Sequence, residues 1–467
     1  MQINKYKIFD YASVLNTFPI KEREMSQTKT KYALVGTGGR ATMFLDPIAT
    51  TYKNNAEIVG LCDINPTRLS YHKKRLEQDF NIKNISLYDA NNFDKMIDEC
   101  KPEHVIVTTI DAFHHKYIIR AMELGCDVIT EKPMTIDGEK CRAILQTIQS
   151  TGKKLRVTFN YRWAPGPTKV KQLLQEGTIG DIIHVDMEYW LNTSHGADYF
   201  RRWHREKNKS GGLIVHKSTH HFDLVNWWIN AVPESVFGMG KLAFYGQENA
   251  KNRGIETTYS RYTGNSYKED PFALDLSKND QLKALYLNAE KDDGYIRDRN
   301  VFDDGITIED TMSLLVHYRT GTTLNYSLNA YLPREGYKVV FNGNKGIIEY
   351  TEAHNSHIIT GQGNKQLAKE MKWENKLILQ KLFSSPQELE IPSSEGGHGG
   401  ADPLIQEQIF DSNPRAEIWG RNAGHEQGAS SILIGSAANL SFKNQKLINI
   451  AEICPELGNA KQLDELY

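Results

Sequence analysis

The chain runs to 467 residues, long enough for two domains with separate cores, because a single core stops growing near roughly 250–300 residues. Its 39% hydrophobic and 24% charged content is that of an ordinary globular chain, and a formal net charge of −2 at pH 7 lacks the basic surplus of a nucleic-acid-binding domain. Five scattered cysteines with no Cys-x-x-Cys pair argue against a disulfide framework or a cysteine zinc site, and no apolar run approaches the ~20 residues of a membrane span.

Residues 1–31 form a polar extension with Lys5, Lys7, Lys21 and Arg23 and no apolar core before a cleavage site. That is not a secretory signal, so a cytoplasmic protein without a membrane partner is expected. Tyr32 to Val35 is a short apolar strand that leads into Gly36-Thr37-Gly38-Gly39-Arg40-Ala41. A helix is expected over 42–54, with Pro47 disturbing its early turns, and a second strand over 57–62 ends at Asp63. Strand, glycine turn, helix, strand and acidic residue is the order of a dinucleotide-binding unit. Gly36 permits the tight turn, Gly38 admits a pyrophosphate, and Ala41 keeps helix and strand close. Asp63 can accept from both ribose hydroxyls and repel a 2′-phosphate, which favours NAD over NADP. Arg68 could partly offset that discrimination.

The alternation continues with helices over 71–80, 93–100, 118–124 and 138–150 and strands over 104–109, 128–133 and 155–159. This pattern argues a parallel, doubly wound sheet. In such sheets ligands sit beyond the carboxyl ends of the strands, where Thr109, Asp111, His114, Glu131 and Lys132 fall. A NAD-binding Rossmann domain is expected over 32–160 and a second domain over 161–467. A helix over 168–176 opens that second domain. From Ile182 the texture changes, and 183–191, 311–318, 322–329, 337–342 and 346–350 alternate like strands of a large, mainly antiparallel sheet. Polar insertions at about 246–304 and 384–402 read as lids or irregular loops. The small, apolar stretch 428–442 reads as a helix packed on the sheet.

Within Ser210 to Trp228, His216, His220 and Asp223 recur at spacings of four and three, which on one helix would stack them on one face. Such a face can handle protons near neutral pH, hold a metal, or be a buried polar seam. Two histidines four apart suit zinc, with Asp223, His398 or Asp402 as a third ligand, but the Glu of His-Glu-x-x-His is missing and no metal is expected. Trp227 and Trp228 read as core, and His221 as structural. Asp223 could orient His220 or a backbone amide.

Gly-x-Gly-x-Arg near the N-terminus, Glu131-Lys132-Pro133 after the fifth strand, and the Gly-Gly…His-x-x-Asp segment resemble the glucose-fructose oxidoreductase/inositol dehydrogenase (Gfo/Idh/MocA) family over nearly all of residues 32 to 350. The resemblance implies an N-terminal Rossmann domain followed by an α/β domain whose open sheet commonly mediates oligomer contacts. The implied reaction is hydride transfer between NAD(P) and a secondary alcohol of a sugar or polyol. Lys132 matches the family's active-site lysine and His220 its catalytic histidine. The chain departs from the family pattern where Ile110 and Asp111 stand for the Pro and Asn of Thr-Pro-Asn-x-x-His and, more markedly, where His216 stands for the Asp of many relatives, with Lys217 beside it also unusual.

Lys132, His220 and His216 are therefore the candidate catalytic residues. Gly36, Thr37, Gly38, Gly39, Arg40, Asp63, Arg68, Thr109, Asp111, His114, Glu131 and Lys132 are expected to line the cofactor. Tyr161, Arg162, Trp163, Tyr199, Arg202, Trp203, His216, Lys217 and His220 are candidate substrate contacts, because rings stack on sugar C–H faces and guanidinium groups bind hydroxyls or carboxylates. An ordinary domain interface is the alternative for the Arg- and Trp-rich loops. The resulting expectation is a NAD-dependent oxidoreductase acting on a sugar or glycoside, possibly at C3, and forming a homo-dimer or tetramer. Its rivals are a NAD-dependent glycosidase working by oxidation, elimination and re-reduction, and a non-catalytic sugar or nucleotide sensor.

Overall fold

The computed structural model describes residues 28–256, 258–265, 270–355, 374–392 and 397–466, so most of the polar N-terminal extension lies outside the described residues. Strand β1 (Thr30–Val35) buries its last four residues, as a central parallel strand covered on both faces must. It is followed by α1 (Thr42–Ala49), β2 (Ala56–Asp63), α2 (Pro66–Phe80), β3 (Ser86–Asp89), α3 (Phe93–Cys100), β4 (His104–Val107), α4 (His114–Glu123), β5 (Asp127–Thr130), α5 (Gly138–Thr151) and β6 (Leu155–Val157). The strands pair in parallel in the order β3-β2-β1-β4-β5-β6. The winding reverses between β1 and β4, and a crevice opens at that switch point.

Local chemistry explains where these elements depart from expectation. Helix α1 stops at Ala49 rather than running to residue 54, because the carbonyl of its internal Pro47 is taken by the amides of Thr50 and Tyr52. Helix α2 starts earlier than residue 71, with Pro66 at its first position and the Asn65 side chain accepting from the Arg68 amide at 3.1 Å. Strand β3 is an edge strand without fully buried residues, and no apolar run announces it.

The rest of the chain contributes α6 (Pro165–Gln175), β7 (Ile182–Asn192), α7 (Thr193–Arg201), α8 (Lys207–Ser210), α9 (Leu213–His216), α10 (Thr219–Ile229), β8 (Pro233–Lys241), α11 (Gln247–Asn252), α12 (Asp280–Leu285), α13 (Glu290–Asp293), β9 (Thr311–Tyr318), β10 (Thr323–Leu332), β11 (Glu335–Gly343), β12 (Gly346–Asn355), β13 (Lys376–Lys381), β14 (Gln387–Leu389), α14 (Gly397–Phe410), α15 (His425–Asn444) and β15 (Ile448–Asn449). The second sheet has the order β14-β13-β12-β11-β7-β10-β9-β8-β15 among the described residues. Only the central β10–β7 pairing in it is parallel.

Helices α10 and α15 cover one face of this sheet. A Cβ on Gly435 of α15 would stand 2.5 Å from the Ile214 carbonyl oxygen, so the short helix ending at His216 is held hard against α15. Helix α14 crosses back to the first domain. There the Tyr32 hydroxyl donates to the Ile409 carbonyl at 3.1 Å, and Phe410 packs edge-on against the Tyr32 ring. The two sheets thus flank one cleft, with the carboxyl ends of β1, β4 and β5 on its floor.

Candidate active site

The cleft is a cavity of about 1700 Å³ whose lining runs from the glycine turn, past Lys132 and His220, to Glu335 and His354 on the second sheet. Its first end is built by the turn after β1. Gly36 has φ of +95°, and a Cβ there would lie 2.6 Å from the Thr108 backbone, so only glycine fits beside β4. Around Gly38 the space is open toward the cleft, with just the Tyr286 hydroxyl within 4 Å of where a Cβ would sit. The turn therefore keeps the unblocked cradle and exposed amides that a pyrophosphate needs. The Gly39 amide donates to the Tyr286 hydroxyl at 3.0 Å, where a phosphate oxygen would accept.

Asp63 ends β2 beside this turn. It accepts from the Thr37 amide at 2.5 Å and hydroxyl at 2.9 Å, and from the Asn65 amide at 2.9 Å. Thr37 is fully buried and off the cavity wall, so it holds Asp63 instead of lining the cofactor as expected. Arg68 pairs with Asp293 and lies 3.5 Å from Asp63 Oδ1. Arg40 lines the cavity and pairs with Glu131 through Nε at 2.7 Å. His114 is clamped between the carbonyls of Pro133 at 2.8 Å and Thr109 at 3.1 Å, which fixes the ends of β4 and β5.

At the middle of the cavity Lys132, Asp111 and His216 meet. Asp111 Oδ2 is 2.5 Å from His216 Nδ1. Lys132 Nζ donates to the His216 carbonyl at 3.2 Å and stands 3.5 Å from His216 Nε2. Glu131 is engaged by Arg40, and among the described residues Lys132 forms no ion pair. Burial lowers its pKa to about 8, against the opposing pull of Asp111 and Glu131. Burial likewise holds the Asp111 carboxyl well above its ordinary range and the His216 imidazole well below its own, so the pair disfavours full charge separation. The contact ties His216 Nδ1 to Asp111, and when Nδ1 carries the proton of that pair the Nε2 lone pair faces Lys132. His220 lies alongside, its ring stacked on Tyr161 at 4.2 Å and 14°.

The sequence stretch bearing these histidines is not one helix. Helix α9 ends at His216, Lys217 and Ser218 make the link, and α10 begins at Thr219. Gly211 and Gly212 both take positive φ just upstream, which starts α9 in its own direction. His216 and His220 still reach the same cavity, but Asp223 does not orient His220. Asp223 instead receives Arg162 Nε and Nη2 at 2.7 and 2.6 Å, and both side chains are 1% exposed. Arg162 and Trp163 are thus absent from the cavity wall and are corrected from substrate contacts to packing residues. His221 bonds the Tyr326 hydroxyl through Nδ1 at 2.7 Å, in the core with Trp227 and Trp228. A metal set of His216, His220 and Asp223 does not converge, because Asp111 and Arg162 take two of its members. The His398 side chain lies outside the described residues, and Asp402 accepts from Asn160 at 2.9 Å.

The far wall holds Tyr199, Arg202, Trp203 and Lys217 together with His204, the end of the same 199–204 stretch, and with His195 and Asp198, which sequence reasoning missed. His195 bridges the Tyr199 hydroxyl at 3.0 Å and Glu335 at 2.8 Å. His204 stacks on Trp203 and meets His216 edge-on at 4.3 Å. Asp198 gathers Arg201, Arg202 and Arg297 at 3.6, 3.2 and 2.7 Å. His195 and Asp198 lie just before the aromatic and basic stretch 199–204 that marked the region, while their partners Glu335 and Arg297 are distant in the sequence and carry no local motif.

Comparison with known proteins follows the same division. A model of an oxidoreductase family's NAD-binding Rossmann fold matches residues 30–159, and the model of that family's C-terminal alpha/beta domain matches 171–450. YteT of Bacillus subtilis (strain 168) is 35% identical over 434 residues, covering 90% of this chain and 97% of that protein. The D-glucoside 3-dehydrogenase of Escherichia coli (strain K12) is 29% identical over 161 residues, 34% of this chain and 42% of that protein. The crystal structure of aldose-aldose oxidoreductase from Caulobacter crescentus complexed with glycerol superposes with a TM-score of 0.58 at 16% identity, covering 90% of this chain and 100% of that one.

Proposed function

The chain belongs to the Gfo/Idh/MocA oxidoreductase family, and on that premise we propose that it transfers a hydride between a secondary alcohol of a sugar or glycoside, at C3, and NAD. The observation that carries this reading is Lys132, a buried amine whose pKa is lowered to about 8, in the cavity that also contains the glycine cradle. The shared segment with a D-glucoside 3-dehydrogenase supports C3 as the carbon. NAD is favoured over NADP because Asp63 stands at the ribose end and Arg68 is already matched by Asp63 and Asp293.

When bound, the nicotinamide supplies a hydride acceptor at its C4. Lys132 takes the hydroxyl proton at Nζ as the C–H electrons leave, because a base works best with a pKa near the operating pH. His216 Nε2 is the next acceptor along the path, and Asp111 keeps the opposite ring nitrogen protonated. His220 meets the reacting hydroxyl, and Tyr161 fixes its ring plane. A sugar sensor would have no use for a buried lysine with a lowered pKa beside His216 and His220, which sets that reading behind the enzyme.

The protein is further read as a homo-oligomer, a dimer or tetramer, formed through the outer face of the second sheet. Met239 and Leu315 stand 69% and 55% exposed there, beside Phe237. The reading is tested by following absorbance at 340 nm and product mass for methyl glucosides, free sugars and inositol with NAD or NADP. NADH formation with a glycoside and a ketone product is expected. NADH from inositol alone would remove the glycoside, and NAD binding without turnover of any substrate would favour the sensor. Aglycone release without net NADH would favour the glycosidase.

A further inference from the structure

Lys217 follows His216 directly, is 3% exposed, and lines the same cavity. Its ammonium lies 4.9 Å from the Tyr189 ring centre and 5.4 Å from that of Tyr161, and it donates to the Tyr161 hydroxyl at 3.1 Å. An ammonium has three donors, and among the described residues Lys217 makes no ion pair. Glu335 is in range to favour its charge but is already engaged, accepting from the Tyr189 hydroxyl at 3.1 Å and meeting His195 Nδ1 at 2.8 Å. Burial opposes the charge, yet the surrounding tyrosine oxygens and Glu335 outweigh it and hold the amine protonated. A buried cation without a partner carboxylate is costly to keep unless something of opposite charge joins it.

We propose that the substrate is an anionic sugar, and that Lys217 receives its carboxylate: a uronic acid or a uronide. This rests on the sugar-oxidoreductase reading and adds the group that the substrate carries. The carboxylate belongs to the same sugar unit that is oxidised. Tyr161, which accepts from Lys217, is itself stacked on His220 at 4.2 Å, so the anion pocket adjoins the proton-handling groups. A sugar phosphate is the other source of negative charge. A phosphate monoester brings about −1.5 to −2 charge and three acceptor oxygens and is best met by several cations together, whereas the cavity's cluster of Arg201, Arg202 and Arg297 is already gathered on Asp198. Lys217 is one ammonium between two aromatic faces, which suits a single carboxylate.

The test compares kcat/KM for methyl glucuronide and methyl galacturonide with the matching neutral glycosides and with glucose 6-phosphate, using NAD. Wild type is expected to prefer the acids at least tenfold. In Lys217→Met that preference falls at least tenfold, and Lys217→Arg retains part of it. An NAD fluorescence titration confirms that each variant keeps its fold. If Lys217→Met loses NAD binding, the wild-type preference and Lys217→Arg decide. Preference for the neutral glycosides or for the phosphate, or an acid preference unchanged in Lys217→Met, overturns the proposal and leaves the oxidoreductase reading standing. If no sugar yields NADH, calorimetric titration of methyl glucuronide and methyl galacturonide into NAD-loaded protein separates the two ideas. Binding of either that is lost in Lys217→Met supports the anion pocket alone, and absence of binding overturns it too.

Discussion

Asp111 and His216 both stand where the sequence leaves the pattern of the family it resembles, and they touch each other. A carboxylate expected at 216 has in effect moved one layer back, to 111, with an imidazole between it and Lys132. The consequence is read in the pH dependence of sugar oxidation. Lys132 must be neutral to accept the proton, so kcat/KM should rise with pH through about 8 and level off above it. The double change His216→Asp with Asp111→Asn places the anion against Lys132, favours its ammonium form, and should move that midpoint upward. Lys132→Met should lower kcat by roughly 10²–10⁴ while NAD still binds, on the scale of a lost proton-transfer group. Initial rates between pH 6 and pH 10 (an order-of-magnitude window of about four units around the base) check all three. Lys132 was legible because a strand end followed by proline placed it. Arg162 was misread because its partner Asp223 lies on a separate helix, and a bidentate pair across 61 residues has no local signature.

At the scale of elements, the insertion between β8 and β9 matters most. Its helices α12 and α13 lie over the entrance to the cofactor crevice. Tyr286 touches the Gly39 amide, the Ala289 carbonyl accepts from Asn65 at 2.9 Å, Asp293 pairs with Arg68, and Arg297 ties to Asp198 at 2.7 Å. The segment thus bridges the nucleotide end and the substrate end of one cleft. A pyrophosphate bound at the Gly39 amide would displace the Tyr286 hydroxyl, and the Arg68–Asp293 pair would hold the insertion over it. Asp293→Ala should raise the NAD dissociation rate several-fold in stopped-flow fluorescence, with association changed less, as expected when a closing contact is removed. The insertion's polar composition pointed to a lid, but not to which surface it covers. That depends on the relative placement of two domains. The break between α9 and α10 was hidden for a related reason, since spacings of four and three fit one continuous helix until Gly211 and Gly212 re-aim the chain.

At the scale of the whole molecule, two sheets share one cleft, and the outer face of the larger sheet remains open. The two-sheet architecture was legible in the sequence. Alternating apolar strands and helices gave the parallel sheet, and period-two alternation gave the second. The edge strands β3, β14 and β15 escaped because they bury too little to leave a pattern, and the inner strands β8 and β13 were also not among the strands expected. A second copy covering Met239 and Leu315 should give a dimer or tetramer by light scattering, and Leu315→Arg should shift it toward monomer; an unchanged monomer in wild type would contradict that interface. The claim that joins all three scales is hydride transfer from a sugar's C3 to NAD at Lys132. The most direct measurement supplies a turned-over glycoside deuterated at C3 and analyses the reduced cofactor by mass. The account predicts NADH heavier by one mass unit, formed more slowly than from the unlabelled sugar. Deuterium retained in the sugar while unlabelled NADH forms would contradict it.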